Sequence, residues 1–149
     1  MKKIFFAVHF FCFVSAAFSQ EPAHWSYSAK KTGDKVFEIH MTVSLESGWH
    51  VYSQAQPASA VAVPTKINFT KNPLVTLEGR IREEGKMEKW LDAATGISAN
   101  QYADKVDFIQ TIKLKAVAKT ALTGTLTYQV CTGTMCLPPK TISFSIPIN

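Results

Sequence analysis

An all-β fold, an antiparallel β-sandwich, is what this sequence predicts, and three observations carry the expectation. Beyond residue 20 the apolar residues recur mostly at period two, as they do in strands with one buried face. Glycine, asparagine and proline turn signals punctuate the chain at short intervals. The resulting seven or eight short strands, in about 130 residues, suit two packed sheets.

The opening stretch stands apart from that pattern. Lys2 and Lys3 precede an apolar run from Ile4 to Phe18, and Ala17-Phe18-Ser19 places small residues where a signal peptidase reads them. The run is about 15 residues, short of the roughly 20 that cross a bilayer as a helix. Residues 1–19 are therefore expected to be a cleaved secretory signal. Residues 20–149 are then a single exported domain with no membrane insertion, large enough for its own core.

Trp25–Lys30 is the first candidate strand, closed by the turn signal Thr32-Gly33-Asp34. Phe37, Ile39, Met41, Val43 and Leu45 then alternate with Glu38, His40, Thr42 and Ser44, the clearest strand in the chain. Ser47-Gly48 separates it from the short candidates Trp49–Ser53 and Thr65–Phe69. Between those two, Gln54–Pro64 is rich in alanine and proline and is expected to be a long surface loop. Asn72-Pro73 precedes another short candidate, Leu74–Leu77.

Arg80 to Ala103 opens with a run of charges and lacks alternation, which predicts a solvated excursion containing one helical turn. Loops longer than about 12–15 residues are usually functional or disordered, so Trp90 stands out there. Val106, Phe108, Gln110, Ile112 and Leu114 next face one way, while Asp107, Thr111 and Lys113 face the other. Ile109 and Gln110 reverse the polarity of both faces, so each face is expected to meet something at that point. Thr123-Gly124 is a predicted turn before Leu126, Tyr128 and Val130, and Ile142, Phe144 and Ile146 form the final strand.

Composition excludes several classes of function. The chain holds 16 basic and 11 acidic residues, a net +5, and without Lys2 and Lys3 the balance is 14 against 11, or +3. The lysines are scattered, so no nucleic-acid or lipid patch is indicated. No Gly-rich phosphate loop, HExxH or GxSxG occurs, and the histidines never fall at close ligand spacing. Once Cys12 leaves with the signal, two cysteines remain, Cys131 and Cys136, in a compartment where disulfides persist.

Those two lie in Tyr128-Gln129-Val130-Cys131-Thr132-Gly133-Thr134-Met135-Cys136-Leu137-Pro138-Pro139. A strand runs into the first cysteine, small residues follow, and two prolines hold the chain off the sheet until Thr141. Alternation puts Gln129 and Cys131 on the face opposite Leu126 and Tyr128. A structural clip is one reading, although closing so short a loop stabilises by only about 2 kcal/mol. A redox pair is the second reading, since exposed disulfides tend to be the labile ones. A soft-metal site from the cysteines, Met135 and His50 is a third.

The segment YQVCTGTMCLPP, taken with GWHVYS at Gly48–Ser53, resembles the N-terminal periplasmic domain of the thiol:disulfide interchange protein DsbD. The likeness runs from about Trp25 to Ile148, and the Tyr-Gln-x-Cys…Cys-x-Pro-Pro frame is its most specific part. It implies an immunoglobulin-like sandwich in which Cys131 and Cys136 are the redox pair. Cys136 would form the mixed disulfide with a partner and Cys131 would resolve it. The implied partners are thioredoxin-like periplasmic proteins and a membrane-embedded DsbD-type reductase. No transmembrane or thioredoxin segment is read beside the domain, so either these partners are expected to be separate chains or the chain is a detached fragment that has lost the relay. Exchange of this kind uses no metal or organic cofactor.

The same likeness matches His50 and Tyr52 to polar aromatics beside the pair. There a histidine can alter thiolate stability as its own charge changes near neutral pH. The family also shields its disulfide with a cap loop bearing an aromatic residue. The expected counterpart is Met87–Tyr102, with Trp90 or Tyr102 as the cap and Met135 and Leu137 adding to partner specificity. Well-known members have five residues between the cysteines, whereas four stand here. The rival expectation is a non-catalytic envelope interaction module whose disulfide is structural, since sandwiches serve many functions.

Overall fold

The computed structural model describes residues 21–149; the expected signal, residues 1–19, lies outside them. Nine strands and no helix occur among the described residues: β1 (Ala23–Gly33), β2 (Val36–Leu45), β3 (His50–Tyr52), β4 (Lys66–Phe69), β5 (Val75–Leu91), β6 (Ser98–Leu114), β7 (Thr120–Tyr128), β8 (Val130–Cys131) and β9 (Lys140–Ile148). All their pairings are antiparallel, as expected.

The long strand β6 is the spine of the larger sheet. One of its edges carries β5; the other is shared end to end by β2 and then β3. Outside these lie β1 against β2 and β8 against β3, while β4, β7 and β9 form a second, three-stranded sheet. The step from β2 to β3 is a tight turn closed by Trp49 N donating to Glu46 O at 3.1 Å. Its third residue, Gly48, has φ 84°, a conformation that a side chain resists.

The core lies between the two sheets. Phe37, Ile39, Met41 and Val43 of β2, with Val106, Phe108, Ile112 and Leu114 of β6, meet Leu122, Leu126, Tyr128, Phe144 and Ile146 of the smaller sheet. Burying a large apolar side chain contributes about 1.5–3 kcal/mol, so this contact is the main source of stability. Gln110 sits on the inner face, and its amide donates to Glu78 O at 2.9 Å and Thr111 O at 2.7 Å. Ile109 is buried on the outer face, flanked in the ladder by His40 and Arg82. His40 Nδ1 there lies 2.7 Å from Asp107, and Arg82 pairs with Glu38 at 2.9 Å. Both faces do meet something at this point.

Two expectations are corrected. Arg80–Ala103 is neither a loose excursion nor helical, because it completes two 17-residue strands of one long hairpin. Alternation fails there because most of β5 is exposed on both faces. The charges suit an edge strand, which they protect from pairing with other chains. Thr123-Gly124 is not a turn but lies inside β7. A Cβ at Gly124 would come within 2.6 Å of the Phe144 ring and 2.3 Å of Asn68 O, so glycine here admits close packing.

Candidate functional site

The cysteine pair forms where the chain passes from one sheet to the other. Strand β7 belongs to the smaller sheet; Gln129 interrupts it, and β8 joins the larger sheet beside β3. Alternation survives the crossing. Leu126, Tyr128 and Val130 point into the main core, and Cys131 points to the opposite face, as the sequence predicted. Cys131 and Cys136 form a disulfide with an S–S distance of 2.03 Å.

The loop between the cysteines is held by its own residues. Thr132 N donates to Met135 O at 2.7 Å, and Thr132 Oγ1 accepts from Met135 N at 3.2 Å. Leu137 N then donates to Val130 O at 3.0 Å, fixing the exit before the prolines. The two cysteines end in unlike surroundings: Cys131 is 1 % exposed, whereas Cys136 is exposed.

Strand register assembles the rest of the site. His50 is directly opposite Cys131 across β3–β8, and Tyr52 is opposite Gln101 across β3–β6. Gln101 in turn faces Glu88, and Ala99 faces Trp90, across β5–β6. Residues directly opposed share a face, and alternate residues along a strand do too. The outer face of the larger sheet therefore presents Cys131, His50, Tyr52, Gln101 and Trp90 together. His50, Tyr52 and Gln101 floor a cleft of about 580 Å³ whose walls include Val61, Ala62, Trp90, Met135 and Cys136, while Cys131 lies buried outside its lining. A larger groove of about 770 Å³ opens between Ile67–Phe69 and Leu77–Ile81, and neither cysteine lines it.

Within the cleft, the Tyr52 hydroxyl lies 3.4 Å from His50 Nε2, and the rings meet edge to face at 5.3 Å. Burial holds the His50 imidazole below its usual pKa, with Glu88 opposing through its charge. Burial also raises the Tyr52 phenol, which therefore stays protonated. Trp90 is 47 % exposed at the rim. Among the described residues, no three His, Cys, Asp or Glu side chains converge as metal ligands do.

Tyr102, the other expected cap, is in the wrong place for that role. It is 3 % exposed, directly opposite Val51 on the core side of the sheet, and its hydroxyl donates to Glu83 at 2.8 Å. Leu137 likewise packs against the main core, while Met135 is exposed beside Cys136. The alanine- and proline-rich Gln54–Pro64 segment is a loop, as expected, but it is pinned rather than free. Gln56 Nε2 donates to Asn100 O at 2.7 Å, Asn100 Nδ2 to Ala55 O at 2.7 Å, and Thr65 Oγ1 to Tyr52 O at 2.6 Å. Gln129 joins this wall to the cysteine loop, accepting from Val63 N at 3.4 Å and donating to Leu137 O at 3.1 Å. Sequence reasoning missed Val61, Ala62, Ala99 and Gln101 because only the pinned loop brings the first two here and only strand pairing the others. The one local signal was Gln129, inside the Tyr-Gln-x-Cys frame.

The family described as thiol:disulfide interchange protein DsbD, N-terminal, matches residues 15–147. The chain belongs to the DsbD N-terminal family. Solved structures agree on the fold. The N-terminal periplasmic domain of ScsB from Proteus mirabilis is similar at 21 % identity and TM-score 0.59, over 87 % of this chain and 47 % of that one. The chain thus spans about half the length of that relative. The reduced DsbD N-terminal domain of Neisseria meningitidis is similar at 17 % identity and TM-score 0.52, over 84 % of this chain and 86 % of that one. These place the DsbD-type domain described above among immunoglobulin-like sandwiches. No curated protein matches the chain. In a DsbD-type domain, a disulfide at the edge of an open cleft can form and break by thiol exchange.

Proposed function

We propose that this domain is a periplasmic dithiol/disulfide carrier, exported by the signal at residues 1–19. It passes electrons between a membrane-embedded DsbD-type reductase and thioredoxin-like partners through Cys131 and Cys136. The observation that carries this reading is the unequal exposure of the paired cysteines. Exposed Cys136 is open to a partner's sulfur, and buried Cys131 is shielded from outside thiols. The family match supports the exchange chemistry.

In the reduced domain the Cys136 thiolate attacks a partner disulfide, giving a mixed disulfide. Cys131 then attacks Cys136 Sγ, closes the Cys131–Cys136 bond and releases the reduced partner. His50 and Tyr52 line the floor beside the pair, and Trp90 is the aromatic cap at the rim. No metal or organic cofactor takes part.

Cys131→Ser is expected to accumulate a mixed disulfide with a thioredoxin-like partner, and Cys136→Ser to trap none. Equal trapping by both variants would contradict the roles given to the two cysteines. The reduction potential of the couple tests the carrier reading itself, by equilibration against thiol buffers. A value of roughly −180 to −270 mV lies in the exchanger range. A value below about −300 mV would mark a structural bridge and leave a non-catalytic envelope interaction module.

A further inference from the structure

We propose that His50 is the proton acceptor for the Cys131 thiol in the step that releases the partner, an inference that rests on the carrier reading. That step requires such a group. Only the thiolate of Cys131 can attack, yet Cys131 is buried among Tyr52, Ala99 and Ala62. Burial disfavours a bare thiolate, and a covering partner removes the water that could take the proton.

His50 is placed to take it. It is directly opposite Cys131 in the β3–β8 ladder, where opposed Cβ atoms lie about 4.5–5.5 Å apart and point to one face. The imidazole lines the same cleft as Cys136. The titratable and charged groups around it are Tyr52 on its own strand, Glu88 on β5, Cys131 on β8 and Cys136 on the following loop. Tyr52 is held protonated, and a carboxylate is a weaker base than an imidazole. Burial keeps the ring neutral near pH 7, which is the accepting form.

The exchange balances in atoms and electrons. Cys136 thiolate attacks the partner disulfide, and the partner's other sulfur leaves as thiolate. Cys131 Sγ–H gives its proton to His50, and its sulfur electron pair forms the bond to Cys136 Sγ. The Cys136–partner bond breaks, with its pair leaving on the partner sulfur. The imidazolium returns the proton to that sulfur. The partner gains two electrons and the domain loses two.

Reduced mature protein mixed with one equivalent of dithiobis(nitrobenzoate), an aromatic disulfide, separates the two steps. Release of the first coloured thiolate reads attack by Cys136, and release of the second reads resolution by Cys131. His50→Gln is expected to slow the second phase about tenfold or more at pH 7. The first phase should stay within about twofold, which also shows that the site remains folded. Imidazole added to His50→Ala should restore the second phase. A second phase unchanged in His50→Gln, or both phases slowed equally, would overturn the role of His50 while the carrier reading stands. A wild-type protein that never releases the second thiolate would overturn the carrier reading, and this inference with it.

Discussion

Glu83 sits within a run of charges that invites a solvated reading, yet its carboxylate is a junction. Besides Tyr102 it accepts from Ser53 Oγ at 2.7 Å, Gln54 N at 2.8 Å and Gln54 Nε2 at 3.0 Å. It thereby ties β5 to β6 and to the start of the loop that walls the cleft. Glu83→Ala would leave the buried Ser53 and Tyr102 hydroxyls without their acceptor, a loss of about 3 kcal/mol. Urea denaturation of the oxidised protein measures it, and an unchanged midpoint would deny Glu83 that role. His50 makes a pH prediction at the same scale. Its folded pKa is lowered, chiefly by burial, so the folded state favours the neutral ring. The stability linked to it is complete above the unfolded value of about 6.5 and declines as pH falls below it through the lowered pKa. His50→Gln should therefore lose less stability than wild type between pH 7 and pH 5, as read from paired urea midpoints.

The hairpin of β5 and β6 is the element that the sequence concealed and the site depends on. Its register shifts between Glu78 and Arg82, and shifts back between Gly85 and Met87. Asp104, at φ 60°, occupies the return bulge, where β6 also exchanges its partner β2 for β3. A Cβ at Gly85 would stand 2.9 Å from Lys105 O and 3.3 Å from Val106 Cα, both backbone atoms that cannot swing aside. Gly85→Ala should cost about 1–3 kcal/mol and speed hydrogen exchange at Met87–Leu91, loosening the strand that carries Trp90. Gly124→Ala should cost a similar amount without that local exchange signature, because its clash lies between β4, β7 and β9. Period two exposed the strands with one dry face, such as β2 and the second half of β6. It could not expose β5, which is wet on both sides, and it read the close-packed Gly124 as a turn. Tyr102 was misassigned for the same reason: without the hairpin register, nothing in the sequence shows that it shares a face with Val51 rather than with Trp90.

Across the whole molecule, the cysteine pair and the stabilising core are kept apart. The core lies between the sheets, whereas Cys131 belongs to a small separate cluster with Tyr52 and Ala99 on the outer face. This separation was partly legible, since alternation through Leu126, Tyr128 and Val130 put Cys131 on the far side. The cleft beside it was not, because three strands and a loop distant in sequence from the cysteines contribute to it. A carrier must hold its fold in both redox states, and the layout provides for that. The disulfide joins residues five apart, so opening it releases a small loop worth about 2 kcal/mol of unfolded-state entropy. Among the described residues, neither cysteine belongs to the apolar cluster between the sheets. The reduced protein should therefore keep its far-ultraviolet circular dichroism and unfold cooperatively in urea, about 2 kcal/mol or less below the oxidised form. If reduction alone abolished the cooperative transition, the bridge would be a structural necessity and the carrier reading would lose its physical basis.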